Sequence, residues 1–346
     1  MERVLKPVWG FSALMVIAVS FFVQGTLNAE PTRWQKVRSE SFAKLGDIPK
    51  VDLFTRIGAI IITEANPFWV TVKEGYLAAG KELGIQMDVQ AAPQENSIAA
   101  QLNILENMVA KNYSAIVAHS ITRHNLIPGL VKANEKEIAT ITDSIRVDMK
   151  AARDAGADPF DIALVDFFAQ GTIGGTYIVE ALKRQGGGKV AIIEGLPGAP
   201  QSQARKNGAK KVFDQDPSVS LVSVQPGNWN RQKAYDITTN LLQAHPDLKG
   251  IMCANDVMAL AAVAAIEEKG KKGEVMVVGI DFIAQAKDAI LDGSLAGSVA
   301  QTPFIIGELC SRAAVKAAAG ETIPKELYIP PVLVTGENVN EFADWK

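Results

Sequence analysis

The chain has 346 residues, longer than one hydrophobic core usually serves, so two domains are expected. Its composition is that of an ordinary globular protein. The formal net charge of −3, with no basic cluster, argues against a nucleic-acid partner.

Residues 1–29 read as a secretory signal peptide. Arg3 and Lys6 supply a short basic region, Phe11–Val23 an apolar run of 13, and Gln24–Ala29 a small, polar end. The run is short for a membrane anchor. Cleavage is expected near Ala29, and the absence of a Cys there argues against a lipid anchor. Residues 30–52 are charged and weakly patterned, a leader that could fold back on the domain. Cys253 and Cys310 fall in a buried strand and a helix. They read as buried free thiols, although export permits a disulfide, and neither has metal-site spacing.

From Leu53 the pattern alternates. Strand Ile57–Thr63 is apolar and β-branched, the pattern of a strand buried on both faces. Asn66 and Pro67 then give a cap and the proline that fits the first helical position, and helix Pro67–Leu83 stops at Gly84. Strands Ile85–Val89, Ala115–His119 and Ile138–Thr142 follow, with helices near Ser97–Lys111 and Asn125–Lys136 between them. After an irregular charged stretch, Val147–Pro159, come strand Ile162–Val165 and a helix over Gln170–Arg184. Strands Val190–Ile193, Leu221–Val224, Gly250–Cys253, Val275–Val278 and Ala296–Val299 then alternate with further helices. Helix Phe304–Ala318 and a β stretch, Leu327–Val334, close the chain. Twofold βα repetition predicts an α/β protein of two doubly wound parallel-sheet lobes. A cleft between such lobes, at the carboxyl ends of the strands, is the natural ligand site.

Polar and aromatic residues recur at those strand ends. Asn66, Phe68 and Trp69 follow the first strand, and Asp143 the fourth. Arg205 enters a helix beyond the loop Gly195–Gln203. Trp229, Asn255 with Asp256, Asp281 and Gln301 follow later strands. Each polar one alone could be a helix cap. Together they suit a neutral polyhydroxy ligand. Carboxylates accept from hydroxyls, amides donate and accept, Arg donates in a planar fork, and aromatic faces cover the C–H faces of a sugar ring.

Enzyme signals are weak. Gly195–Gly198 lacks dinucleotide-loop spacing. Gly186–Lys189 precedes a strand, unlike a phosphate loop, and reads as a helix-to-strand turn. No G-x-S-x-G is present. The three histidines make no H-E-x-x-H. His119, ending the third strand, can face the cleft or stand as an ordinary loop histidine.

Seven ordered blocks resemble one family: Asn66–Trp69, Ile192–Gly195, Ala204–Gly208, Gln225–Arg231, Cys253–Ala259, Val277–Asp281 and Ala300–Pro303. From about Leu53 to Val334 the sequence is similar to the periplasmic monosaccharide-binding proteins of ABC importers. Within that family it resembles the ribose- and allose-binding group, of periplasmic binding protein type I fold, and the allose type most. The resemblance implies a bilobed protein that closes on one sugar and presents it to an ABC permease in the inner membrane.

The family's ligand contacts fall on Asn66, Phe68, Trp69, Asp143, Arg205, Trp229, Asn255, Asp281 and Gln301. Three crossovers would join the lobes, near Asp143–Val165, Gln301 and Tyr328–Pro331. The lobes would be 53–165 plus 301–329 and 166–300 plus 330–346. Phe282 stands where relatives commonly have Gly, and Ser144 where the ribose type has Arg. Val165 and Phe167 are apolar where relatives are small and polar, and Ile62 replaces a Lys of the allose type. Phe282, Ser144, Phe167 and His119 are therefore expected to shape the pocket, and the ligand is expected to be a monosaccharide or polyol other than ribose or allose. The expected protein is a periplasmic monomer with no cofactor, metal or catalytic residue. A sensor subunit of the same fold, for chemotaxis or quorum signalling, is the alternative.

Overall fold

A computed structural model describes residues 30–50, 52, 55–143 and 147–346. The expected signal segment and Ser144 lie outside the described residues. The chain opens on α1 (Arg33–Leu45), then β1 (Arg56–Thr63) and α2 (Pro67–Leu83). β1 buries every residue but its first, as an apolar run covered on both faces must. α2 starts where Asn66 accepts a hydrogen bond from the Phe68 amide, and it stops at Gly84, whose φ of +70° a glycine adopts without strain.

The alternation continues through β2 (Gln86–Ala92), α3 (Ile98–Val109), β3 (Ala115–Ala118), α4 (Ile127–Glu135), β4 (Ala139–Asp143), α5 (Met149–Asp154) and β5 (Phe160–Ile162). These strands form one parallel sheet in the order β2-β1-β3-β4-β5. The sequence pattern treats Val147–Pro159 as irregular. In the structure it holds the short helix α5, capped by the Asp148 carboxylate accepting from the Ala151 amide. β5 ends at Ile162, so Val165 stands beyond it, at the cleft.

The second set is α6 (Phe167–Lys183), β6 (Gly188–Glu194), α7 (Pro200–Gln215), β7 (Val219–Pro226), α8 (Arg231–Ala244), β8 (Leu248–Cys253), α9 (Asp256–Glu268), β9 (Met276–Asp281), α10 (Ala284–Leu291) and β10 (Gly297–Ala300). Their sheet is completed by β11 (Val332–Thr335), in the order β11-β10-β9-β8-β6-β7. Among the described strands only β11 runs antiparallel, pairing with β10 at the edge. Between β10 and β11 the chain returns to the first lobe as α11 (Pro303–Ala318), packed against α2.

Among the described residues, three stretches therefore cross between the lobes: 163–166, 301–302 and 329–331. They lie side by side. The Leu327 amide donates to the Ala163 carbonyl and the Ile329 amide to that of Leu164, and Gln301, Ile329, Pro330 and Pro331 line one small recess. Narrow, adjacent strands of this kind permit rotation of one lobe on the other.

α1 is more than a leader. A capping box between Thr32 and Gln35 starts it and Gly46 ends it. Arg38 reaches Glu308 of α11 with both arms of its guanidinium, at 2.7 and 2.6 Å. Trp34 packs against Phe304 at 6.0 Å. At its N-terminal end Thr32 donates to Asp344 and Arg33 lies over Phe342, so the C-terminal turn Val339–Phe342 is bound to the same helix. Cys253 on β8 and Cys310 on α11 are buried free thiols in different lobes.

Candidate functional site

A cavity of about 510 Å³, counting its mouth, opens between the two sheets. Its walls come from strand ends on both sides: Asn66, Phe68, Trp69, His119 and Asp143 from the first lobe, and Arg205, Trp229, Asn255 and Asp281 from the second, with Gln301 at a crossover. Val165, Phe167, Glu95, Gln201 and Ile306 complete the lining.

The aromatics are set by local chain chemistry. Phe68 and Trp69 occupy the first turn of α2 and meet edge to face, with centroids 5.1 Å apart. Trp69 stands edge-on to His119, also at 5.1 Å. Across the cavity, Asn228 and Trp229 both have left-handed backbone, with φ of +57° and +60°. This turn swings the indole over Gly195, where even a Cβ would sit 2.1 Å from the ring. Gly195 is therefore required for Trp229 to lie where it does.

Arg205 anchors the second wall. A Cβ at Gly171 on α6 would fall 1.9 Å from the Arg205 carbonyl oxygen, so the absent side chain lets α7 close on α6 and carries Arg205 inward. Its Nε donates to Gln170 at 2.8 Å, Nη1 to the Ala254 carbonyl at 2.8 Å, and Nη2 to Asp281 at 3.4 Å. The guanidinium also lies 5.3 Å from the Phe167 ring centroid and 5.9 Å from that of Trp229. Burial holds the Arg205 pKa below its usual value, against the pull of Asp281.

Asp281 accepts from Gln301 Nε2 at 2.6 Å, so the crossover residue is tied to the second lobe's carboxylate. Burial pushes the Asp281 pKa up to about 6, opposed by Arg205 and Gln301. Asp256 sits behind it, accepting from Ser298 and from the Ile283 amide, with its pKa raised by burial and by Asp281. Asn255 caps α9 through the Met258 amide.

In the first wall His119, one residue past β3, is no ordinary loop histidine. It is buried, its Nδ1 against the Asp143 carboxylate and its Nε2 2.8 Å from the Tyr76 hydroxyl. Asp143 is thereby held by a buried chain running back into α2. Cys310 brings a third potential metal-ligating atom within 4.8 Å. Both imidazole nitrogens are already engaged, so the cluster reads as a positioning network and not as an ion site.

All nine residues proposed as ligand contacts line this cavity, and Phe167 and His119 line it too. Phe282 does not. Its backbone is left-handed, φ +57°, and its ring turns away to meet Phe342 edge-on at 5.8 Å. The expectation that it narrows the cleft is corrected on that ground. Glu95, Gln201 and Ile306 were missed. Gln201 and Ile306 sit inside helices α7 and α11, and Glu95 on the loop after β2, where strand-end position gives no signal. Asn66 donates through Nδ2 to Glu95 Oε1 at 2.9 Å.

The sequence matches the family described as periplasmic binding protein domain over residues 57–322. It is 36% identical over 266 residues to the D-allose-binding periplasmic protein of Escherichia coli, covering 77% of this chain and 85% of that one. The ribose import binding protein RbsB of Bacillus subtilis is 28% identical over 93% of this chain and 97% of its own. Among solved structures, a periplasmic solute-binding protein of an ABC transporter from Actinobacillus succinogenes, with bound D-allose, superposes with a TM-score of 0.78. It is 33% identical and is covered over 99% of its length, against 83% of this chain. A solute-binding protein from Agrobacterium vitis, bound with α-D-tagatopyranose, gives 0.76 at 25% identity, over 82% of this chain and 96% of that one.

Proposed function

Since this chain belongs to the periplasmic binding protein domain family, we propose that it captures a neutral monosaccharide or polyol between its lobes and delivers it to an ABC permease. The observation that carries this reading is the cavity itself. Donors and acceptors from both lobes converge on it, between Phe68 and Trp69 on one side and Phe167 and Trp229 on the other. Aromatic faces suit the C–H faces of a sugar, and the amides and carboxylates suit its hydroxyls.

Binding works by hinge closure. For capture the lobes are 53–165 plus 301–329 and 166–300 plus 330–346, turning about the three crossovers. In the open form a sugar meets one wall only. On closure Asp143 and Asn66 engage it from the first lobe, and Arg205, Asn255 and Asp281 from the second, so the ligand favours the closed state by its differential contacts. Residues 1–29 are a cleaved signal peptide, and the mature protein works in the periplasm as a monomer. The site binds without turning its ligand over, in keeping with a family of binding proteins. The ribose relative is named as an import binding protein, which supports uptake and lends nothing to a sensor role.

A thermal-shift panel of D-allose, D-ribose, D-tagatose, D-fucose, myo-inositol and glycerol tests the reading. A ligand at a hundredfold excess over its Kd adds about 2.7 kcal/mol of stability, a readily seen rise in Tm. No shift with any sugar or polyol would overturn it.

A further inference from the structure

Glu95 sits on the loop after β2, outside the set of strand-end residues, and its carboxyl group lines the cavity beside Asn66. The cavity wall holds three carboxylates, Glu95, Asp143 and Asp281, against one guanidinium, Arg205. Asp143 lies against the His119 imidazole, and Asp281 has Arg205 and Gln301. The guanidinium is held by Gln170, the Ala254 carbonyl and Asp281. Arg205 acts on Glu95 only through space; among the described residues Glu95 makes no ion pair, and its hydrogen bond is from the neutral Asn66 amide, to Oε1. Its second oxygen has acceptor capacity to spare.

Resting on the sugar-binding reading above, we propose that Glu95 is a specificity-determining residue of the site, accepting a hydroxyl or ammonium hydrogen from the ligand and turning acidic sugars away. An anionic ligand would bring a further negative charge among three carboxylates with no uncommitted cation to meet it. A neutral polyol supplies the missing donor, and an amino sugar supplies it with a compensating charge.

The test uses the purified protein and its Glu95→Gln and Glu95→Ala variants, titrated calorimetrically. The probes are the neutral sugar giving the largest thermal shift, D-glucosamine and D-glucuronate. Gln keeps an acceptor for Asn66 but presents an amide donor where the ligand's own donor would point. The expected result is an affinity loss of about tenfold or more for the neutral sugar in Glu95→Gln, as for a hydrogen bond to a charged group. Discrimination against D-glucuronate should narrow in the same variant. Full affinity and unchanged discrimination in Glu95→Gln, with loss confined to Glu95→Ala, would make Glu95 a prop for Asn66 and overturn the proposal. Silence of the unaltered protein toward every neutral sugar would instead overturn the underlying reading, and this inference with it.

Discussion

Glu95 and Asp281 give the site a pH dependence with opposite signs for stability and for binding. Burial raises Glu95 from 4.5 to about 7 and Asp281 from 3.8 to about 6. Both groups bind protons more tightly folded than unfolded. Their contribution to the stability of the ligand-free protein is therefore full below about pH 4 and lost as pH rises through 6 to 7. Ligand hydroxyls bond more strongly to the ionised forms, so affinity should weaken as pH falls from 8 to 5. Parallel measurements of Tm without ligand and of Kd across that range check both signs. A Kd indifferent to pH would remove both carboxylates from ligand contact. Phe282 makes a different residue-scale case. Its φ of +57° costs about 1 kcal/mol in a non-glycine residue, and its ring is buried against Phe342. Phe282→Gly removes the strain but also a buried ring worth about 3 kcal/mol or more. The net effect should be a loss of about 2 kcal/mol by chemical denaturation, with ligand preference unchanged because the ring lies outside the cavity. A changed preference would place it back in the site.

α1 shows how an element can be hidden by weak patterning. Its sequence is charged with scattered apolar residues, and no strong apolar face announces it. The Thr32–Gln35 capping box and the Gly46 stop were the usable signals. Its stability comes from tertiary contacts. The Glu308 carboxylate is 2% exposed, and Arg38 is the cation that reaches it. Arg38→Met should therefore cost about 3 kcal/mol, because a buried charge is left unpaired. Denaturation of Arg38→Met and of the double variant with Glu308→Gln decides this: the second change should recover part of the loss. An Arg38→Met protein as stable as the original would contradict it. The central strands were far easier to read. β1 and β3 are uninterrupted apolar runs, and a run buried on both faces has few alternative explanations. The helix caps at Asn66 and Asn255 were equally plain, since cap chemistry is local. α5 was missed because it is only six residues long.

At the scale of the molecule, the twofold βα rhythm foretold the paired lobes, and the strand-end rule placed most of the cavity. What escaped were residues brought to the cavity by tertiary folding: Glu95 from a loop, and Gln201 and Ile306 from helices. Phe282 erred the other way, because sequence adjacency to Asp281 does not fix where a side chain points once both residues have positive φ. The antiparallel β11 likewise depends on the last crossover, which returns the chain along the hinge. Those crossovers make the cavity a property of both lobes, so removing a single contact should weaken ligand capture without unfolding either half.

The most direct test is a calorimetric titration of the panel's strongest sugar into the protein and into Asp281→Asn, which keeps the shape and tolerates the φ of +116° at that position. One site per chain is expected in the first. In the second the Kd should be weakened about tenfold to a hundredfold, the cost of a lost hydrogen bond to a charged group. Equal affinity in the two proteins would mean that the sugar binds elsewhere, and that the cavity between the lobes is not the site of capture.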